Sequence, residues 1–155
     1  MFAKIKTVVR NQLKQGASPE GLARACAVSA LVSVFPLLGT TAVLCLLAGI
    51  LIRGNQPVMH IVNYLLYPAQ ILLLPVYLYL GEWLVGAPHV TIHPVVIFQK
   101  MTTDFGAFLA EYGWAGLYAI MAWALITPPC AWILYHALRP VFRRVLRRAV
   151  PAPVA

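Results

Sequence analysis

Three long stretches of this chain carry almost no charge, and that fixes the solvent in which it folds. Residues 25–52 and 114–138 hold no Asp, Glu, Lys or Arg, and residues 58–85 hold only Glu82. A soluble domain has roughly 25% charged residues; this one has 10%, against 61% hydrophobic. Twelve basic and four acidic side chains cannot cover a water-facing globule of 155 residues. Hydrocarbon is the expected surroundings, and an all-α integral membrane protein the expected fold, because helices satisfy their own backbone polar groups in lipid.

The charge that remains sits at the ends. Lys4, Lys6, Arg10 and Lys14 precede the first apolar stretch, and Arg139, Arg143, Arg144, Arg147 and Arg148 follow the last. Basic flanks of this kind face the cytoplasm and attract anionic lipid headgroups. They have no aromatic stacking platform between them, so nucleic acid is not an expected partner. The expected location is a bacterial-type inner (cytoplasmic) membrane, crossed more than once, with both termini cytoplasmic.

Residues 1–17 read as a basic amphipathic helix lying on the membrane surface, with Phe2, Ile5, Val9 and Leu13 at helical spacing. Ser18-Pro19-Glu20 then makes a helix start: hydroxyl cap, proline in the first turn, acid at the positive end of the dipole. Glu20 and Arg24 also stand four apart in the favourable order. A cleaved signal peptide does not fit, because the apolar stretch is too long.

As one straight helix, residues 25–52 would measure about 42 Å at 1.5 Å per residue, against a core of about 30 Å. The middle, Phe35-Pro36-Leu37-Leu38-Gly39-Thr40-Thr41, combines a lost backbone donor with a permissive glycine. Two halves too short to cross imply a re-entrant hairpin over 22–52, inside a membrane domain of residues 18–86. Arg53-Gly54-Asn55-Gln56-Pro57 is a polar turn, with Pro57 placed to open the next helix. Residues 58–85 make a full span interrupted at Tyr67-Pro68 and Pro75. Residues 87–112 form an external loop with an interfacial helix ended by Gly113. Residues 113–138 make the second full span, kinked at Pro128-Pro129, and 139–155 a basic cytoplasmic tail whose first part is amphipathic. The competing arrangement lets 22–52 cross as one kinked helix, which puts Arg53 outside and makes 58–85 re-entrant.

No Ser-His-Asp or Cys-His set, paired carboxylates or phosphate loop occurs, so neither catalytic residues nor a cofactor are expected, and the chain reads as no enzyme; a lipid-modifying enzyme lacks its nucleophile and base. Cys26, Cys45 and Cys130 are isolated packing residues. His89 and His93 are bracketed by Pro88 and Pro94 and read as loop, so no metal site is expected.

The order Gly16-x-Ser18-Pro19-Glu20, Phe35-Pro36-x-x-Gly39-Thr40-Thr41, Arg53-x-Asn55-x-Pro57, Pro68, Pro75-x-Tyr77 and Leu80-Gly81 resembles the prokaryotic domain-of-unknown-function family numbered twenty sixty-two. The resemblance covers about residues 10–86. Tyr67-Pro68-Ala69-Gln70 stands where that family often has Asn-Pro followed by Thr. It implies an integral membrane domain, and since some relatives are fused to envelope-sugar glycosyltransferase domains, a cell-envelope setting.

Two functions compete. The first is transport or flipping of a small or lipid-linked anionic substrate, because half-helix N-termini favour negative groups and unwound backbone at membrane depth marks a cavity. Its candidate binding residues are Pro36, Gly39, Thr40, Thr41, Arg53, Asn55, Pro68, Tyr77 and Glu82, with Arg24 as a further charged partner. A chain this small is expected to need a second copy to enclose a pathway. The second is a non-catalytic subunit or scaffold for an envelope enzyme of glycosyltransferase type. Its helix-docking faces would be Ala23, Ala27, Ala30 and Ser33, and Gly106, Ala110 and Gly113.

Overall fold

In the computed structural model, residues 18–88, 99 and 102–149 are described, and their main elements are four helices: α1 (Pro19–Ser33), α2 (Thr41–Leu51), α3 (Gln56–Val85) and α4 (Phe105–Ala149). The surface helix expected over 1–17, the His89 to His93 stretch and the tail beyond 149 lie outside these residues.

Local chemistry sets the helix starts. Ser18 Oγ accepts a hydrogen bond from Gly21 N at 3.0 Å, and Pro19 opens α1. Asn55 Oδ1 accepts from Val58 N at 3.2 Å, with Pro57 in the first turn of α3. Gly86 closes α3 in the left-handed region at φ 70°. Between α1 and α2 the chain unwinds over residues 34–40, with Gly39 at φ +84°. The expected break is therefore present.

α3 and α4 are long and apolar enough to cross a membrane: Gln56–Val85 over 30 residues and Tyr112–Val145 over 34. At 15 and 11 residues, α1 and α2 are about 22 and 16 Å long, each shorter than a bilayer core of about 30 Å. α3 continues as one helix through Pro68 and Pro75, where interruptions are expected, and α4 through Gly113, where the external helix is expected to end, and on through Pro128, Pro129 and Pro140. From Phe105 onward the end of the external segment, the span and the first part of the tail are one element. A mid-helix glycine costs only about 1 kcal/mol relative to alanine, less than the packing along α4 provides.

Specific contacts fix the directions. Tyr77 meets Thr127 at 3.4 Å and Gly81 lies on the Tyr118 carbonyl, so α3 and α4 are antiparallel. Trp123 Nε1 donates to Leu31 O at 3.1 Å, and Glu20 pairs with Arg143, so α1 is antiparallel to α4. Ser29 Oγ donates to Met59 O at 2.5 Å and Gln70 Nε2 to Phe35 O at 2.8 Å, so α1 and α3 run the same way. The start of α1, the Arg53 turn, the start of α3 and the end of α4 therefore share one end of the bundle, hereafter the basic end. α1 leads away from that end and α2 returns to it.

Glu20 does not pair with Arg24. One carboxylate oxygen accepts from Arg143 Nε at 2.9 Å and Nη2 at 2.6 Å, and lies 3.5 Å from Arg139 Nε. The Arg143 hydrogen bonds hold the Glu20 carboxyl below its ordinary 4.5, helped by its own backbone and by the charges of both arginines. Such a depressed value stabilises the folded chain fully above about pH 4.5 and stops doing so as pH falls through the lower, folded value. The thermal midpoint in detergent is thus expected to fall on acidification from about pH 6 to about pH 3. Glu20→Gln should flatten that dependence, and an unchanged profile would count against the clasp.

Candidate functional site

The structure divides the nine expected binding residues into three groups along the bundle. Pro36, Gly39, Thr40 and Thr41 form the break; Arg53 and Asn55 lie at the basic end; Tyr77 and Glu82 lie beyond the break towards the opposite end. From Asn55 to Glu82 is about 40 Å along a helix. Pro68 is exposed on the outer face of α3 and joins none of them.

At the break, Pro36 and Thr41 are buried while Leu37, Leu38 and Gly39 are exposed. Thr40 Oγ1 donates to Leu37 O at 2.9 Å and makes no cap on α2. The carbonyls freed where α1 ends are met from two other helices. Trp123 of α4 donates to Leu31 O, and Gln70 of α3 donates to Phe35 O at 2.8 Å and Leu37 O at 3.5 Å. Phe35 and Trp123 pack edge to face, centroids 4.9 Å apart. A buried backbone group left unsatisfied costs about 1–3 kcal/mol, so this clamp makes an unwound segment tenable inside the bundle. Sequence reading missed both clamps. Gln70 was noted only as a departure from the family pattern, and Trp123 was lost in an apolar run. A signal existed: Gln56, Asn63, Gln70 and Tyr77 recur every seven residues in α3.

At the basic end, α2 stops in a six-residue hydrogen-bond motif. Gly54 N donates to Gly49 O at 2.8 Å and Arg53 N to Ile50 O at 3.2 Å. The residue between, at φ 50°, is Arg53. Glycine normally fills this left-handed position, and a side chain there costs about 1–2 kcal/mol. Arg53 is exposed, as are Arg24, Arg143 and Arg144. Asn55 is the cap of α3 and is used structurally.

Between these two groups runs an apolar groove of about 540 Å³, bounded by Phe35 and Trp123 near the break and by Leu44, Leu47 and Leu51 along α2. Leu47 and Leu51 are 56% and 86% exposed, so the groove opens sideways. Arg53 follows Leu51 by two residues. Sequence reading did not find the groove, because it depends on how the hairpin leans on α4.

Towards the other end, Tyr77 is buried with its hydroxyl 3.4 Å from Thr127 Oγ1, and Glu82 is 3% exposed, beside the Gly81 crossing. Neither borders the groove. Among the described residues, no three His, Cys, Asp or Glu side chains are grouped to hold a metal ion.

No curated protein and no solved structure matches the chain. The resemblance carried by motifs over residues 10–86 extends further: the model of the family described as an uncharacterized protein conserved in bacteria (DUF2062) matches residues 3–150, and the chain belongs to that family.

Proposed function

We propose that this protein is a non-catalytic, multi-pass component of the bacterial inner membrane that binds and moves a lipid-linked anionic envelope substrate. α3 and α4 cross, the α1–α2 hairpin enters and leaves on the cytoplasmic side, and anionic lipids gather at the basic end. The carrying observation is the apolar groove between α2 and Trp123, whose last lining residue on α2, Leu51, stands two residues before Arg53. An isoprenyl or acyl tail fits the laterally open apolar channel between α2 and Trp123, and the anionic head meets a guanidinium that always carries charge. The strain at Arg53 supports a functional role. Glycine would relieve a cost of about 1–2 kcal/mol, and sidechains kept in such conformations concentrate at functional sites. The break above, with the N-terminus of α2 and its positive dipole end, offers a second station for the head on its way across. A second copy of the chain encloses the other side of that route.

Of the two docking faces of the competing scaffold reading, the first is largely taken up by the protein's own bundle, where Ala23, Ala27 and Ser33 are 0%, 4% and 1% exposed; the second keeps Gly106 and Ala110 exposed.

The test uses purified protein in liposomes with a fluorescent isoprenyl phosphate, following transfer between leaflets by bleaching of the outer label. Arg53→Gly is expected to raise the thermal midpoint, relieving about 1 kcal/mol of backbone strain, while cutting transfer about tenfold or more. Transfer no faster than in empty liposomes, or undiminished in Arg53→Gly, would refute the reading.

A further inference from the structure

A second apolar cavity, of about 350 Å³, shares no lining residue with the groove beside α2. At Gly81 the helices α3 and α4 touch backbone to backbone. One turn on, the Tyr77 hydroxyl reaches Thr127 Oγ1 at 3.4 Å. From that pair towards the basic end a slot lies between the two spans, also lined by Ala30, Leu31 and Val34 of α1. Its walls run from Tyr77 to Leu66 on α3 and from Ile126 to Leu134 on α4, about 16 and 12 Å at 1.5 Å per residue. A small residue from each helix, Ala30, Ala69 and Ala131, leaves the space. Val76 and Cys130 on its walls are exposed, so the slot opens sideways.

Water, a helix and a hydrocarbon chain compete as occupants. Water needs two to four polar partners, and the two hydroxyls of the lining already meet each other. A helix is too wide. The cavity volume spread over that length is about 5 Å across, against about 10–12 Å for a helix with its side chains. A single hydrocarbon chain fits. The slot lies within the uncharged part of both spans. Lipid tails are as apolar as leucine, so a tail gains nothing there by leaving water. It gains contact, because an empty slot forfeits the dispersion attraction of its walls.

Depth and charge identify the chain's owner. From Thr127 to Arg139 is about 18 Å along α4, close to the 15 Å or so of one leaflet in a core of about 30 Å. On that side of the bilayer Arg139, Arg143 and Arg144 stand against the carboxylate of Glu20, a balance that favours an anionic headgroup. We propose that this slot holds one acyl chain of an anionic phospholipid from the leaflet at the basic end, resident there rather than exchanging with bulk lipid. No transfer is involved, so a failed transfer assay leaves the proposal standing.

Cys130 is a built-in reporter. It is exposed and lines the slot, whereas Cys45 is buried and Cys26 half-buried. Protein in maltoside detergent is treated with a membrane-permeant maleimide while palmitoyl-oleoyl phosphatidylglycerol is titrated in, and modification of Cys130 is followed by peptide mass spectrometry. Saturable protection of about tenfold is expected once the lipid stands at about ten times its Kd. A cysteine introduced by Leu125→Cys is the control. Leu125 is on the same helix, 61% exposed and outside the slot, and should label at a rate that the lipid leaves unchanged. Ala69→Phe fills the slot from α3 and should abolish protection of Cys130, with a thermal midpoint at or above wild type showing that it folds. If that variant does not fold, the comparison of the two cysteines decides alone. Equal protection of both cysteines, no protection, or undiminished protection in folded Ala69→Phe overturns the proposal. Protection by an isoprenyl phosphate and not by phosphatidylglycerol also overturns it, and makes the slot a second station for the substrate.

Discussion

Gly81→Val is expected to destroy the folded α3–α4 pair, with little monomeric, ordered protein recovered from detergent. At Gly81 the two spans touch backbone to backbone. A β-carbon there would overlap the carbonyl of Tyr118 and come within 2.9 Å of the Tyr118 Cβ. Overpacking usually costs about 1–3 kcal/mol because flexible side chains yield. Here the obstacle is helical backbone, so the helices must separate. Tyr77, Leu78, Ala115, Ala119 and Ala122 around the crossing are all at most 8% exposed, and separation opens that cluster. Gly86 provides the comparison. It also resists substitution, at φ +70°, but nothing lies within 4 Å of its would-be Cβ. Gly86→Ala therefore incurs only the conformational cost of about 1 kcal/mol, visible as a modest fall in thermal midpoint. Should Gly81→Val unfold no more readily than Gly86→Ala, the close crossing is wrong.

The contrast between these glycines shows what a single sequence makes legible. Gly86 and Gly39 end or interrupt helices, and local chemistry announces such points. Ser18, Pro19 and Asn55 behave as their side-chain chemistry demands, and the break at Pro36–Thr41 lies where a 28-residue apolar stretch is too long for one crossing and too short for two. Gly81 appeared only as part of a motif, since its role depends on a partner 37 residues away. The same holds for Trp123, for Gln70, and for Glu20, which chose Arg143 across the bundle over Arg24 on its own helix. Pro68 is overread as an interruption for a related reason: it is exposed, so its missing donor disturbs no packed contact, and the surrounding helix carries on. Of the expected site, the break was readable from residue type. The groove beside it was not, because its walls come from α1, α2 and α4, which periodicity treats one at a time.

That groove carries the other large effect. Leu47→Trp is expected to reduce transfer of a fluorescent isoprenyl phosphate about tenfold or more while leaving thermal unfolding within about 0.5 kcal/mol of wild type. Leu47 is 56% exposed and lines the channel that runs from Phe35 and Trp123 to Leu51. An indole there meets the same apolar surroundings that leucine does, so the fold gains or loses little. It does take up space in a channel of about 540 Å³ whose value to a hydrocarbon tail lies in being unfilled. Burial of each methylene is worth about 0.8 kcal/mol, so excluding only two or three of them accounts for the expected loss. The position of the block matters as much as its size. Tryptophan at Val43, also on α2 and 59% exposed but not a lining residue of the groove, adds even more bulk to the helix and should leave transfer near wild type. If both substitutions slow transfer equally, the tail does not lie in this groove, and the charge at Arg53 must act on a substrate held elsewhere.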